Sequence, residues 1–143
     1  MAAGQVIADF LGQVGITCTI EIVEWATWLS EVYNGRDYDL TVVGHTGRLD
    51  PYLLLARYAS DSGENYFNYS NSRVDELLCA YRSEKDAEKR SQLVGDIQEI
   101  LADEVPAFYI QDPVVSFVTN PRVSGFEMYP IDIYEFRNVS VDG

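Results

Sequence analysis

His45, the only histidine of the chain, stands in a short run that also holds Thr46, Arg48 and Asp50. Together they offer an imidazole, a hydroxyl, a guanidinium and a carboxylate. His45 and Asp50 could hold a metal ion or move a proton, and Arg48 suits a carboxylate or another anion. Trp25 and Trp28, at i, i+3 spacing, could present flat faces to a solute. So could Tyr66 and Phe67 in the aromatic–amide patch Asn65-Tyr66-Phe67-Asn68-Tyr69. Catalytic signatures are absent from the sequence: there is no G-x-S-x-G elbow and no H-E-x-x-H pair. Gly44-His45-Thr46-Gly47 has neither the lysine nor the spacing of a phosphate-binding loop. A lone histidine without Cys, His or carboxylate at ligand spacing is more often a hydrogen-bonding or packing residue than a ligand. The carboxylate pairs Asp37/Asp39 and Asp103/Glu104 read as solvated faces or turns. These residues point to binding, with no catalytic group, no resident metal and no cofactor assigned. Trp25, His45, Thr46, Arg48, Asp50, Tyr66 and Phe67 are the expected contacts.

Positioning them is a matter of the surrounding elements. Leu40, Val42 and Val43 give the run Tyr38 to Val43 the apolar character of a buried strand, bounded by Gly35 and Gly44. Asp50 can cap a helix that Pro51 opens, and a cap uses one carboxylate oxygen, leaving the other free for a ligand cation. Upstream, Val6, Ile7, Phe10, Leu11 and Val14 recur at helical spacing, with Gly15 placed to end that helix. Thr17 to Glu24 alternates with Cys18, Ile20 and Ile22 on one face, which predicts a strand. Trp25 to Tyr33 returns to helical period, with Trp28 inward, Trp25 nearer the edge, and Asn34-Gly35 as the stop. Strand, helix, strand predicts a βαβ unit whose two parallel strands end on one rim. That rim would bring Trp25 beside the His45 to Asp50 turn, at the edge where open α/β sheets bind ligands.

Residues 59 to 72 read as a loop, followed by a helix with Asn71 or Ser72 as cap and Val74, Leu77, Leu78 and Tyr81 on one stripe. A longer helix begins at Asp86, its buried stripe Leu93, Val94, Ile97, Ile100, Leu101 and Val105, and the pair is expected to pack on the sheet. From Pro106 the pattern predicts strands at Ala107 to Ile110, Val114 to Thr119 and Val123 to Met128. The tail from Pro130, with Ile131, Ile133, Tyr134, Phe136, Val139 and Val141, is unusually apolar for a free end. The fold class is α/β, a mixed sheet flanked by helices, with residues 1–143 as one domain.

The 143 residues are 47% hydrophobic and 23% charged, globular values that suffice for a core. A formal charge of −13 and the lack of any basic run argue against nucleic acid and anionic lipid as partners. Cys18 and Cys79 form no C-x-x-C pair and read as small buried hydrophobes. No run approaches the roughly 18 apolar residues of a membrane span. Met1-Ala2-Ala3-Gly4 leads straight into the first helix with no signal peptide, which suits either a cytosolic protein or a piece whose address lay upstream.

The order of these phrases resembles the carboxyl-terminal lobe of the extracellular solute-binding proteins of family 5, the dipeptide, oligopeptide and nickel receptors of ABC importers. The shared pattern is Leu11 to Ile16, Trp25, Gly35 to Leu40, Gly44-His45 and Asp50-Pro51. It continues through Asn65 to Tyr69, Asn71 to Leu78, Arg90 to Leu101 with Pro106 after it, and Val123 to Phe126. The resemblance implies one lobe of a type II periplasmic binding protein-like fold, from a longer periplasmic or extracellular receptor. Its partners would be a small solute such as a short peptide, an ABC permease and the missing amino-terminal lobe, toward which the apolar tail would run. Two departures mark the site. His45 stands where peptide receptors often have tryptophan, and Thr46-Gly47-Arg48 fills the space where they commonly carry an aspartate for the peptide amino group. A metal-chelate solute of the nickel type, a small metal-dependent enzyme using His45 and Asp50, and an interaction module acting through the apolar tail are the alternatives.

Overall fold

The computed structural model describes residues 2–112, 114–129, 131 and 133–143. Its larger buried cluster is built on two neighbouring helices. Helix α4 (Ser72–Ser83) starts where the Asn71 side chain accepts from the backbone N–H groups of Arg73 and Val74, satisfying donors that a helix start leaves unpaired. Helix α5 (Ala87–Glu104) starts where Asp86 accepts from the Lys89 N–H. Their stripes meet: Val74, Leu77 and Leu78 pack with Ile97 and Leu101, and Leu55 and Tyr58 join them from the preceding segment. Val74 and Ile97 are wholly buried, and each such side chain contributes about 1.5–3 kcal/mol of hydrophobic stabilisation. Val105 departs from its expected place in that stripe. It takes the left-handed conformation at the end of α5 (φ 49°) and is exposed, because the α5 stripe has run past the packed surface there. The support beneath the helix pair is also different from a sheet: it is the short helix α3 (Tyr52–Leu55) and the 3₁₀ turn Ala56–Tyr58.

Helix α1 (Ala2–Gln13) ends as expected at Gly15, whose φ of 88° suits glycine. Helix α2 (Trp25–Thr27) widens without a break into a π-helical stretch, Trp28–Asn34. The Gly35 N–H reaches back to the Ser30 carbonyl at 3.0 Å.

The predicted parallel strands are where sequence and structure part. Among the described residues neither 17–24 nor 38–43 has a ladder partner, so the βαβ pair is not formed. Alternation of apolar residues sets the faces of a strand, but a ladder needs a neighbour. Ile20, Ile22, Leu40 and Val42 stay exposed. Segment 38–43 is held instead through side chains. Trp28 Nε1 donates to Thr41 Oγ1 at 2.9 Å, and the Tyr38 hydroxyl donates to the Tyr66 carbonyl at 2.8 Å.

Described strands occur in the last third, as two antiparallel pairs. β1 (Val123–Ser124) pairs with β4 (Ser140–Val141), and β2 (Glu127–Met128) with β3 (Tyr134–Glu135). The second pair nests inside the first, and the register slips between them at Gly125. There φ is 75° and a Cβ would lie 2.0 Å from the Asn138 carbonyl oxygen, so only glycine fits. The predicted strand Val123 to Met128 is thereby split in two. Ala107 to Ile110 forms no strand, nor do the described residues of Val114 to Thr119. Phe117 and Phe126 make a small aromatic cluster with Tyr134 and Phe136. Pro130 and Asp132 of the tail, and Pro113, lie outside the described residues. Neither cysteine is buried as expected: Cys18 is half-exposed on its unpaired segment and Cys79 is exposed on α4.

Candidate functional site

Trp25 and Trp28 share one face of their helix, and their rings stack at 4.9 Å with 6° between the planes. Trp28 is the buried member, 8% exposed, and Trp25 the outward one, 61% exposed. Behind Trp28 stands Tyr66, edge-on at 5.6 Å, with Tyr33 beside both. Tyr66 is set by its loop. Asn65, a buried polar residue, donates from Nδ2 to the carbonyls of Ala59 and Tyr69 and accepts from the Tyr69 N–H. One satisfied amide thus folds residues 59–69 and presents Tyr66 inward.

His45 meets this wall directly, its Nε2 lying 3.0 Å from the Tyr66 hydroxyl. Trp25, Trp28, Leu29, Tyr33, Val43, His45, Arg57, Glu64 and Tyr66 surround a cavity of about 210 Å³. The expected meeting of Trp25 with His45 therefore occurs, although no strand pair produces it. Tethering of segment 38–43 to Trp28 and Tyr66 does the positioning.

The other expected contacts lie elsewhere. Thr46 and Arg48 are exposed and do not line the cavity. Phe67 stacks on Tyr66 at 4.2 Å and on Tyr58 at 4.9 Å, so it supports the wall from behind. Asp50 is the clearest displacement. Its Oδ1 accepts from the Tyr52 N–H at 2.9 Å, as the cap reading expects, but also from the Tyr81 hydroxyl at 2.8 Å. Its other oxygen is 3.3 Å from the Arg90 guanidinium, which lies over the Tyr81 ring. The oxygen that a cap leaves free is thus taken by Arg90, and Asp50 ties α3 to α4 and α5. His45 and Asp50 have separate partners, and among the described residues no group of three or more His, Cys, Asp or Glu side chains could hold a metal ion.

Charge in the cavity is mixed. The His45 pKa is lowered from 6.5, first by burial of the ring against its neighbours and then by the Arg57 charge, while Glu64 opposes the shift. The residue as a whole remains exposed, so the imidazole titrates, only lower than usual. Burial pushes the Tyr66 phenol up to about 12, which keeps it a neutral donor or acceptor at neutral pH.

Sequence reading missed Arg57, Glu64, Tyr33, Leu29 and Val43 as cavity residues. Arg57 belongs to no motif, since it is one position in the 3₁₀ turn after α3. Glu64 sits in a polar loop where any acid looks solvated. A wider depression of about 520 Å³ lies between α4 and α5, lined by Arg73, Leu77, Asp96, Glu99, Ile100 and Asp103. It is an open helix groove with three acids among its six lining residues and no aromatic wall. The smaller cavity has the convergent polar groups on an apolar frame that small-molecule sites share.

No family model matches the chain. It is 28% identical over 145 residues to a dipeptide-binding protein of Escherichia coli (strain K12), a match covering 98% of this chain and 27% of that protein. A dipeptide-binding protein of Pseudomonas aeruginosa is 30% identical over 144 residues, with the same coverage of 98% and 27%. The chain therefore spans about 27% of the length of these curated relatives. Among solved structures, one described as the structure and mode of peptide binding of the pheromone receptor PrgZ superposes with a TM-score of 0.74 at 19% identity. That match covers 99% of this chain and 28% of the receptor chain. This likeness bears out the fold class, a mixed helix-and-sheet lobe of the type II periplasmic binding protein kind.

Proposed function

From the likeness to the extracellular solute-binding proteins of family 5, which its relatives bear out, we propose that residues 1–143 supply one wall of a solute cleft, as most of one lobe of a longer receptor. The solute is a short peptide or a peptide-like molecule, and the receptor delivers it to an ABC permease from the periplasm or cell surface. The observation that carries this reading is the convergence of Trp25, Trp28, His45 and Tyr66 on one cavity. These four come from three separate segments: the helix holding both tryptophans, the turn at His45 and the loop at Tyr66. An outward-facing indole stacked on a buried one is a rigid platform with little conformational entropy to lose on contact. Solute contacts shared between this wall and a second lobe favour the closed state of a two-state equilibrium, which is all that capture and release require.

Half a cleft makes half the contacts. Calorimetric titration with a dipeptide such as Gly-Phe is expected to give binding to the full receptor and little or none to residues 1–143 alone. Micromolar affinity of the isolated chain would contradict the half-cleft, and failure of the full receptor to bind any short peptide would contradict the choice of solute.

A further inference from the structure

Of the arginines, only Arg57 and Arg90 are withdrawn from full exposure, and each has a buried Nε without a hydrogen-bond partner. Arg90 is otherwise engaged: its Nη2 reaches Asp50 and Tyr81, and its guanidinium covers the Tyr81 ring at 4.3 Å. Arg57 has no such arrangement. Among the described residues it takes part in no salt bridge and no side-chain hydrogen bond, yet it lines the aromatic cavity. A partly buried guanidinium without an acceptor is an unsettled group that calls for an explanation. Among the described residues no neighbour is paired with it as a counter-charge. The Tyr66 phenol is held neutral, and burial likewise raises the pKa of Tyr58. Glu64 lines the same cavity but forms no ion pair with Arg57 within 4.0 Å.

We propose that Arg57 is the specificity-determining residue of this wall: its guanidinium seats a carboxylate of the solute, while the solute's apolar or aromatic part lies on the exposed face of Trp25. The inference rests on the solute-binding reading above and deepens it by naming the group recognised. A guanidinium matches a carboxylate with two parallel donors, and that fork is worth most where water is partly excluded. Arg48, the anion partner expected from sequence, stands outside the cavity, so Arg57 takes that role. Glu64 adds a second condition, because a solute with a cationic group beside its carboxylate can satisfy both side chains. The surrounding charge sharpens the choice. A chain of net charge −13 repels anions at long range, so an anionic group enters only where a local cation receives it.

The test uses the full receptor and two matched probes, Gly-Phe and its carboxyl-terminal amide, titrated by calorimetry. Gly-Phe is expected to bind at least about tenfold more tightly than the amide, the scale of one charge-assisted pair. Arg57→Met should bring the two affinities together, Arg57→Lys should keep part of the gap, and Trp25→Ala should weaken both probes alike. Equal affinities in the unaltered receptor would overturn the assignment even if Arg57→Met failed to fold. A gap that survives Arg57→Met would also overturn it, while leaving the solute-binding reading intact. Silence toward both probes would remove that reading, and this inference with it.

Discussion

Val74 and Ile97 have no exposed surface, whereas Ile22 is 74% exposed and Val118 is 98% exposed. All four are β-branched aliphatic residues in one chain, so composition is not what separates them. The helices α4 and α5 sit next to each other in sequence and carry matching stripes with a cap at each start, and they close a core from local parts. The segments 16–24 and 38–43 and the described residues of 107–119 have equally apolar patterns, but among the described residues none has a ladder partner. Ile16, Leu40, Phe108, Val114 and Val118 lie exposed in consequence. Helical burial is satisfied within tens of residues, while strand burial depends on whichever segment comes alongside. The candidate cavity lies on the border, with Tyr66 packed against Trp28 and Val32, and Trp25 and His45 facing out.

Substitutions that remove one methyl-rich side chain from each region should give the largest contrast. Ile97→Ala is expected to cost about 2–5 kcal/mol, the range for a fully buried aliphatic truncation. Ile22→Ala should stay within about 0.5 kcal/mol, as for a surface site. Urea unfolding of the two variants measures both, and a comparable loss for Ile22→Ala would mean that segment 16–24 is buried in solution. A smaller effect falls on the Asp50 tie. Asp50→Ala removes the acceptor for the Tyr52 N–H and leaves the Tyr81 hydroxyl and Arg90 short of a partner, for an expected loss of about 1–2 kcal/mol. The ion pair itself adds little, since both side chains are partly exposed. The Asp50 pKa is lowered from 3.8, chiefly by the Tyr81 hydrogen bond. The stabilisation it reports is therefore complete above 3.8 and is lost as pH falls through the lower folded value. Asp50→Asn should flatten that acid limb. An unchanged limb in the variant would show that the tie does not form.

Legibility in the sequence follows the same division. Helix starts at Asn71 and Asp86, the stop at Gly15, the stripe of α4 and the inward Trp28 beside the outward Trp25 all rest on local chemistry. Each was readable from residues within a few positions. Of the site, Trp25, His45 and Tyr66 were readable as types that touch solutes, and the structure does gather them. Asp50 was readable as a cap, but the oxygen expected to be free for a ligand is claimed by Arg90, forty positions away, a separation no spacing rule covers. Arg57 was invisible for the converse reason: its interest lies in what it does not touch. The parallel strands were inferred from alternation and connection alone, and alternation says which face is apolar without saying what lies alongside.

The smallest effect is the most local test of the border between the two regions. His45 is the only histidine, so its proton NMR titration reports one site without overlap. With the folded pKa lowered from 6.5, the midpoint should fall below 6.5 in the native chain. The sign for stability follows by linkage. Above 6.5 the ring is neutral in both states and contributes no slope. As pH falls from 6.5 toward the folded value, the unfolded chain takes up a proton that the folded chain resists, and stability declines until the folded ring also titrates. Two neighbours move the midpoint in opposite directions: Arg57→Met should raise it by removing a nearby cation, and Glu64→Gln should lower it by removing the opposing carboxylate. Since the cavity is open to water, both displacements should be fractions of a pH unit and shrink with added salt. A midpoint at or above 6.5 would mean that the ring is not withdrawn from water against the wall, and shifts of the same sign from both substitutions would mean that Arg57 and Glu64 do not flank the imidazole; either way the cavity wall is assembled differently.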